Sequence, residues 1–390
     1  MANKKIKTNR GILTAPFFMP DATRGLVKFL SPEEVASAGI KALVVNTLHL
    51  YLEPGLKIIK KAGGIHKLMN WDKPIISDSG GYQVFSLIHK NSKMGKITDD
   101  GAVFHSPADG SVHEITPEKA IQIQFDLGVD MMVCLDDCPP NEFSRADLAR
   151  AVKRTIAWAK RCKNEYEKQI KKRKISKSKR PLLFGVIQGG TELDLRELCT
   201  RELIKIGFDG YGFGARHVDR EGKFLADVLK FTADLIPANK IKFALGVGKP
   251  EDIVLCYKMG WDIFDCVIPT REGRHGKLFC HCEERRRRSN PANSNRNEIA
   301  SSTSAMPWRD EPAARNDIKY QTINIGNSRF AADFLPINAQ SKIPELKNHS
   351  LAYLHHLFKI NDPLGARLAS LNNLEFYSEL MKKMTKKKTG

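Results

Sequence analysis

Eight short apolar segments each run straight into a polar or glycine-rich tip: 16–19, 43–46, 74–78, 131–136, 182–188, 211–214, 243–246 and 263–268. Amphipathic stretches of helical spacing separate most of them. Apolar strands alternating with helices build βαβ units and hence a parallel sheet. Eight such units predict a closed (β/α)8 TIM-type barrel, in which chemistry belongs at the C-terminal ends of the strands. Three tips carry an aspartate, Asp78, Asp136 and Asp265, so the expected active site is acidic.

At 390 residues the chain exceeds the roughly 250 of a plain barrel and leaves room for additions. Turn signals at Asp99-Asp100-Gly101 and Asp109-Gly110 predict a small antiparallel excursion between about 96 and 114. Ser31 followed by Pro32, and Thr116 followed by Pro117, read as helix starts. The stretch 280–318, rich in Ser, Asn, Arg and Pro and poor in large apolar residues, cannot offset its own ordering entropy. It is expected to be a disordered inserted loop. The segments KLF and YQTINIGN on either side then form two halves of one strand-rich connection. The resulting division is 1–279 for the catalytic barrel, 280–318 for the insert and 319–390 for the remainder, a C-terminal helical subdomain with a basic tail.

A net charge of +19 favours a polyanionic partner through counterion release. The basic residues cluster at 168–180, 285–288 and 382–388. No apolar run approaches the roughly 20 residues that span a bilayer, and the basic N-terminus lacks a secretory core. A cytoplasmic protein without membrane contact is expected. The eight scattered cysteines form no disulfide framework. Cys280-His281-Cys282 is dense, but no second pair follows at zinc-finger spacing.

Two carboxylates at strand ends can divide labour between nucleophile and acid/base, as in double displacement at a sugar carbon. A third, Asp136, can accept from the N–H-rich edge of a base such as guanine, and the Gln188 amide can both donate and accept. Tyr82 can stack on a flat ring. A retaining glycoside hydrolase uses a similar acid pair, but base-reading groups and a basic surface do not suit it.

The motifs SDSGGYQVFSL, LDDCP, GVIQGG, ALGVGKPEDI and DIFDCVIPTREGRHG, with NTLHLYLEPG and FHSPADGSVHEITPEKAIQIQ, together resemble the bacterial tRNA-guanine transglycosylases, or queuine tRNA-ribosyltransferases. The resemblance covers about 14–279 and 319–384. It implies a (β/α)8 enzyme that replaces the wobble guanine of G-U-N anticodon tRNAs with a 7-deazaguanine, without a cofactor. By matching motif it implies Asp265 as covalent nucleophile and Asp78 as general acid/base. It also implies Asp136 and Gln188 as guanine readers, Tyr82 as stacking residue, and Cys138, Gly214, Ala215 and Leu245 in the base pocket. Arg271 and Arg274 fall in the tRNA-holding segment. Cys138 and Val218 resemble the tighter pocket that takes preQ1 (7-aminomethyl-7-deazaguanine) rather than queuine.

The chain also departs from the pattern. The Gly-Gly-Leu segment after the sixth strand is here Gly214-Ala215-Arg216. The family's structural zinc, held by three cysteines and a histidine, meets Ser341, Ile343, Leu346 and Asn372 at the four ligand positions. Ile and Leu offer no donor, so no zinc is expected, and a small hydrophobic plug is expected in its place. That subdomain helps dimerise the bacterial enzymes, so the loss bears on the homodimer the resemblance implies. Partners such as noncatalytic subunits typically lose the chemical acids, whereas this chain keeps Asp78 and Asp265.

Overall fold

The computed structural model describes residues 4–107, 109–281 and 320–386. All eight expected strands form: β1 (Phe17–Pro20), β2 (Leu43–Val45), β3 (Ile75–Ser77), β4 (Met131–Val133), β5 (Leu182–Ile187), β6 (Gly210–Phe213), β7 (Ile241–Ala244) and β8 (Ile263–Cys266). They lie in one eight-stranded sheet in the order β1-β8-β7-β6-β5-β4-β3-β2, with every pairing between neighbours parallel. A parallel bridge between Asp21 and Val44 joins the two ends of the series. Ala22 N–H donates to the Val44 carbonyl at 2.7 Å there, and Asn46 N–H to that of Thr23 at 3.2 Å. The sheet thus closes into a barrel.

Side chains alternate in and out with the period of a strand. Phe17, Met19, Val44, Ile76, Met131, Val133, Phe184, Val186, Phe243 and Ile263 form one apolar cluster filling the lumen. Their neighbours Phe18, Leu43, Val45, Ile75, Met132, Leu183, Ile187, Phe213 and Phe264 belong to a second cluster shared with the surrounding helices. Burial on both faces is why these segments read as nearly unbroken apolar runs. The antiparallel hairpin Lys5–Thr8 and Gly11–Thr14 adds Ile6 and Leu13 to the lumen cluster, so it plugs one end of the barrel.

The helix starts follow their sequence signals. Ser31 and Glu34 form a reciprocal capping box on Pro32–Ser37, and Thr116 caps Pro117–Leu127. The excursion is a three-stranded antiparallel sheet of Gly95–Ile97, Ala102–His105 and Val112–Ile115. The flanks of the expected insert pair antiparallel, Lys277–His281 against Tyr320–Asn324, with His281 opposite Tyr320. The insert itself, from residue 282 to its end, lies outside the described residues, as do Cys282 and the basic run 285–288.

The hairpin rests on the last helix, Pro363–Lys386. Phe279 N–H donates to Asn373 Oδ1 at 2.9 Å, and Asn372 Nδ2 donates to the Phe279 carbonyl at 3.1 Å. The Phe279 and Phe376 rings stack with centroids 5.6 Å apart. Asn372, which the resemblance sets at the zinc-binding histidine position, is therefore a strand clamp. At the cysteine positions, Ser341 is buried and donates to Glu375 Oε2 at 2.5 Å, while Ile343 and Leu346 join the hydrophobic core. No group of three or more His, Cys, Asp or Glu among the described residues is arranged to hold a metal ion. This donor set does not fit zinc.

No helix of the described residues is long and apolar enough to cross a membrane.

Candidate active site

The C-terminal ends of all eight strands open into one cavity of about 580 Å³. Val44, Ile76, Val133, Val186 and Phe243 from the lumen cluster form its floor. Around the rim stand Asp21, Asn46, Asp78, Tyr82, Asp136, Cys138, Gly214, Ala215, Val218, Leu245, Asp265 and Arg271.

Asp78 follows β3 directly. It accepts from Asn46 Nδ2 at 2.6 Å, Thr47 N–H at 3.0 Å and Gly80 N–H at 3.1 Å. Gly80 has φ +76°, and a Cβ there would lie 2.9 Å from both Leu48 Cβ and Leu48 N. Only glycine makes this turn, and the turn points the Gly80 N–H back at the carboxylate. Burial nonetheless raises the Asp78 pKa to about 6 against those three donors. Asp265, on β8, accepts one bond among the described residues, from Gly246 N–H at 2.9 Å. Burial, reinforced by the charges of Asp21 and Asp78, raises it to about 7.

Asp136 accepts from Gln188 Nε2 at 2.6 Å, and burial raises it to about 7. Gln188 itself stands behind the cavity wall, buried, and among the described residues its Oε1 has no hydrogen-bond partner. A buried acceptor left open beside a cavity suits an N–H group arriving from outside the protein. Gly214 leaves room for this amide, since a Cβ on it would meet Gln188 Nε2 at 2.5 Å. Cys138 is a neutral thiol, pushed up to about 12 by burial. The Tyr82 ring is 54% exposed at the start of helix Gly81–Lys90, free to cover a planar ligand. Arg271 is exposed at the cavity edge. Arg274, on the same helix Ile268–Arg274, is half-buried and is not part of the wall.

The departures at 215 and 216 have local consequences. Ala215 sits at φ +76°, the left-handed region that a Cβ disfavours. Replacing Ala215 with glycine is expected to stabilise the protein by about 0.5–1 kcal/mol, read from the denaturant midpoint; a midpoint that falls would show that the strain is absorbed elsewhere. Asn141 Nδ2 donates to the carbonyls of Arg216 and Val218 at 2.9 and 3.2 Å, which fixes this rim. His217, beside Arg216 and Lys249, is pushed down to about 4, chiefly by burial, and stays neutral at pH 7.

Sequence reasoning missed three contributors. Asn46 is the donor that orients Asp78. Asp21 is a fourth carboxylate in the cavity. Arg196 is wholly buried, and burial lowers its pKa to about 9. Its guanidinium donates to the carbonyls of Gly190, Ile187 and Gly214 at 2.7, 3.4 and 3.1 Å, over the Phe213 ring. It thereby ties the ends of β5 and β6 together behind the wall. The basic run 168–180, by contrast, begins at the C-terminal end of the 28-residue helix Arg145–Lys172. That helix is about 42 Å long, and its first turns stand near the cavity, where Arg154 pairs with Asp137 at 2.5 Å. The run is therefore remote from the site.

Comparison with known proteins follows the same lines. A family model described as Queuine tRNA-ribosyltransferase matches residues 3–387. A queuine tRNA-ribosyltransferase of Halothermothrix orenii is 38% identical over 380 residues, spanning 97% of this chain and 88% of that protein. Those of Caldanaerobacter subterraneus subsp. tengcongensis (38% over 379 residues, 97% and 88%) and Idiomarina loihiensis (36% over 375 residues, 96% and 87%) are also similar.

Proposed function

Since the chain belongs to the queuine tRNA-ribosyltransferase family, we propose that it exchanges the wobble guanine of G-U-N anticodon tRNAs for preQ1 by a retaining double displacement. The observation that carries this reading is the pairing of two half-buried carboxylates, Asp78 and Asp265, in one cavity whose wall includes Asp136, itself held by Gln188 from behind. Asp265, as carboxylate, attacks ribose C1′ while the bond to guanine breaks, and Asp78 delivers a proton to the departing base. The incoming base returns a proton to Asp78 and attacks C1′, the ester to Asp265 breaks, and configuration is retained. Asp136 and Gln188 read the base edge, Tyr82 covers its face, and Cys138, Gly214, Ala215 and Leu245 surround it. Arg271 and Arg274 engage tRNA phosphates.

The test is incorporation of labelled guanine into a tRNA with a G-U-N anticodon. Incorporation is expected; tRNA binding without it would instead make the chain a binding remnant of the family. Cys138 and Val218, both on the cavity wall, support preQ1 as the incoming base. In a competition assay preQ1 is expected to outcompete queuine, and preferential use of queuine overturns that choice.

The reaction as read needs no cofactor. The Ser341–Glu375 bond and the core positions of Ile343 and Leu346 support a subdomain that folds without zinc. Metal analysis of the purified protein is expected to find none, and one equivalent of zinc refutes this. A cytoplasmic homodimer is the assembly that accompanies the reading, and light scattering at the mass of one chain would remove it.

A further inference from the structure

The reaction uses Asp78, Asp136 and Asp265 and leaves Asp21 without a task. Its place in the ring is specific. β8 carries Asp265, β1 leads into Asp21, β2 leads into Asn46, and Asn46 holds Asp78 at 2.6 Å. Asp21 therefore stands between the nucleophile and the acid/base. Its backbone is fixed by the bridge to Val44 that closes the barrel. Thr23 Oγ1 donates to its Oδ1 at 2.5 Å, and among the described residues its side chain accepts no other hydrogen bond. Asp21 lines the cavity, and its second oxygen carries no such bond.

The rest of the ring decides what Asp21 faces. Asp136, Cys138, Gln188 and Gly214 follow β4, β5 and β6 and belong to the base. With the base on that wall and C1′ at Asp265, the sugar fills the side formed by β8, β1 and β2. An internal nucleotide of RNA has one free sugar hydroxyl, the 2′-OH. A carboxylate carries lone pairs only, so its open oxygen calls for a donor. The charge of Asp21 is felt by both chemical carboxylates, whose pKa values it helps to raise, and is opposed by the half-buried Arg274.

We propose that Asp21 accepts a hydrogen bond from the 2′-hydroxyl of the nucleotide undergoing exchange, and so reads ribose against deoxyribose at the reacting position. The assignment rests on the guanine-exchange reading above. The 2′-OH is the group by which a protein tells RNA from DNA at one site, and a hydrogen bond to a charged acceptor is worth roughly tenfold or more in discrimination.

The experiment compares two anticodon stem-loops, identical except that one carries 2′-deoxyguanosine at the exchanged position. The unaltered protein should exchange guanine about tenfold or more faster in the ribose form. In Asp21→Ala the ratio of the ribose-form rate to the deoxy-form rate should fall toward one, with a thermal melt like that of the unaltered protein showing that the variant is folded. Asp21→Asn keeps an acceptor oxygen and should retain part of the preference. An unchanged rate ratio in Asp21→Ala, or no preference in the unaltered protein, overturns the assignment. Exchange in neither stem-loop by the unaltered protein is a failure of the exchange reading itself, and takes the assignment with it.

Discussion

Replacing Asp265 with alanine is expected to lower guanine exchange by at least about a thousandfold and to abolish the covalent complex with tRNA on denaturing gels. Among the described residues, the Asp265 carboxylate accepts a single bond, from Gly246 N–H at 2.9 Å, so its charge is little quenched by donors and remains available for attack. The same isolation sets a pH dependence. Attack requires the ionised form, and burial holds the Asp265 pKa at about 7. Exchange at low tRNA concentration should therefore fall as pH drops below about 7. Asp78 and Asp136 titrate nearby, so the limb belongs to the cluster. An acid limb near 4 would show that the cavity does not perturb its nucleophile.

The raised value also carries a stability cost with a definite sign. A carboxylate whose pKa is higher in the folded state binds its proton more tightly there. Its contribution is present below the unfolded value near 4 and is lost as pH rises through about 7. Asp265→Asn should then stabilise the protein at pH 8, by about 2 kcal/mol, and should not do so at pH 4. Exchange retained in Asp265→Ala would refute the nucleophile.

Asp78→Asn is expected to slow exchange by about 10²–10⁴, the usual worth of a positioned acid/base. Asparagine keeps the shape but spoils the bonding. Asp78 Oδ1 accepts from Thr47 N–H and Gly80 N–H, and Oδ2 from Asn46 Nδ2. The amide oxygen can serve only one of these sides, so the new NH2 meets a donor. Asn46 cannot turn over to receive it, because its Oδ1 already accepts from His49 N–H at 2.9 Å. The variant should lose exchange while still binding tRNA in a filter or mobility assay. Exchange within about fivefold of the unaltered protein would assign the proton transfer elsewhere.

The barrel was legible because its strands are buried on both faces, which leaves an apolar run that a polar tip ends abruptly. Phe17 and Met19 face the lumen while Phe18 faces a helix, and no hydrophilic residue interrupts them. Asp78 and Asp265 were legible as tips, and their motifs narrowed the chemistry. Asp21 escaped because Pro20 separates it from the apolar run ending at Met19, although it ends its strand as Asp78 does. Arg196 had no local signal at all. Its partners are three carbonyls contributed by Ile187, Gly190 and Gly214, and only folding assembles them. The raised carboxylates are likewise products of burial. The missing donors at the positions that the resemblance assigns to zinc were legible, but not that Asn372 would instead grip a strand.

The antiparallel pair formed by Lys277–His281 and Tyr320–Asn324 has one more implication. Its two free ends, His281 and Tyr320, lie opposite each other across a single rung. A chain that leaves and re-enters through adjacent rungs imposes almost no geometric demand on its host, since closure entropy grows only slowly with length. The position is a natural splice port. A reporter domain with neighbouring termini could occupy it, and the enzyme would then carry its own label at a point seven residues past Arg274 in the chain.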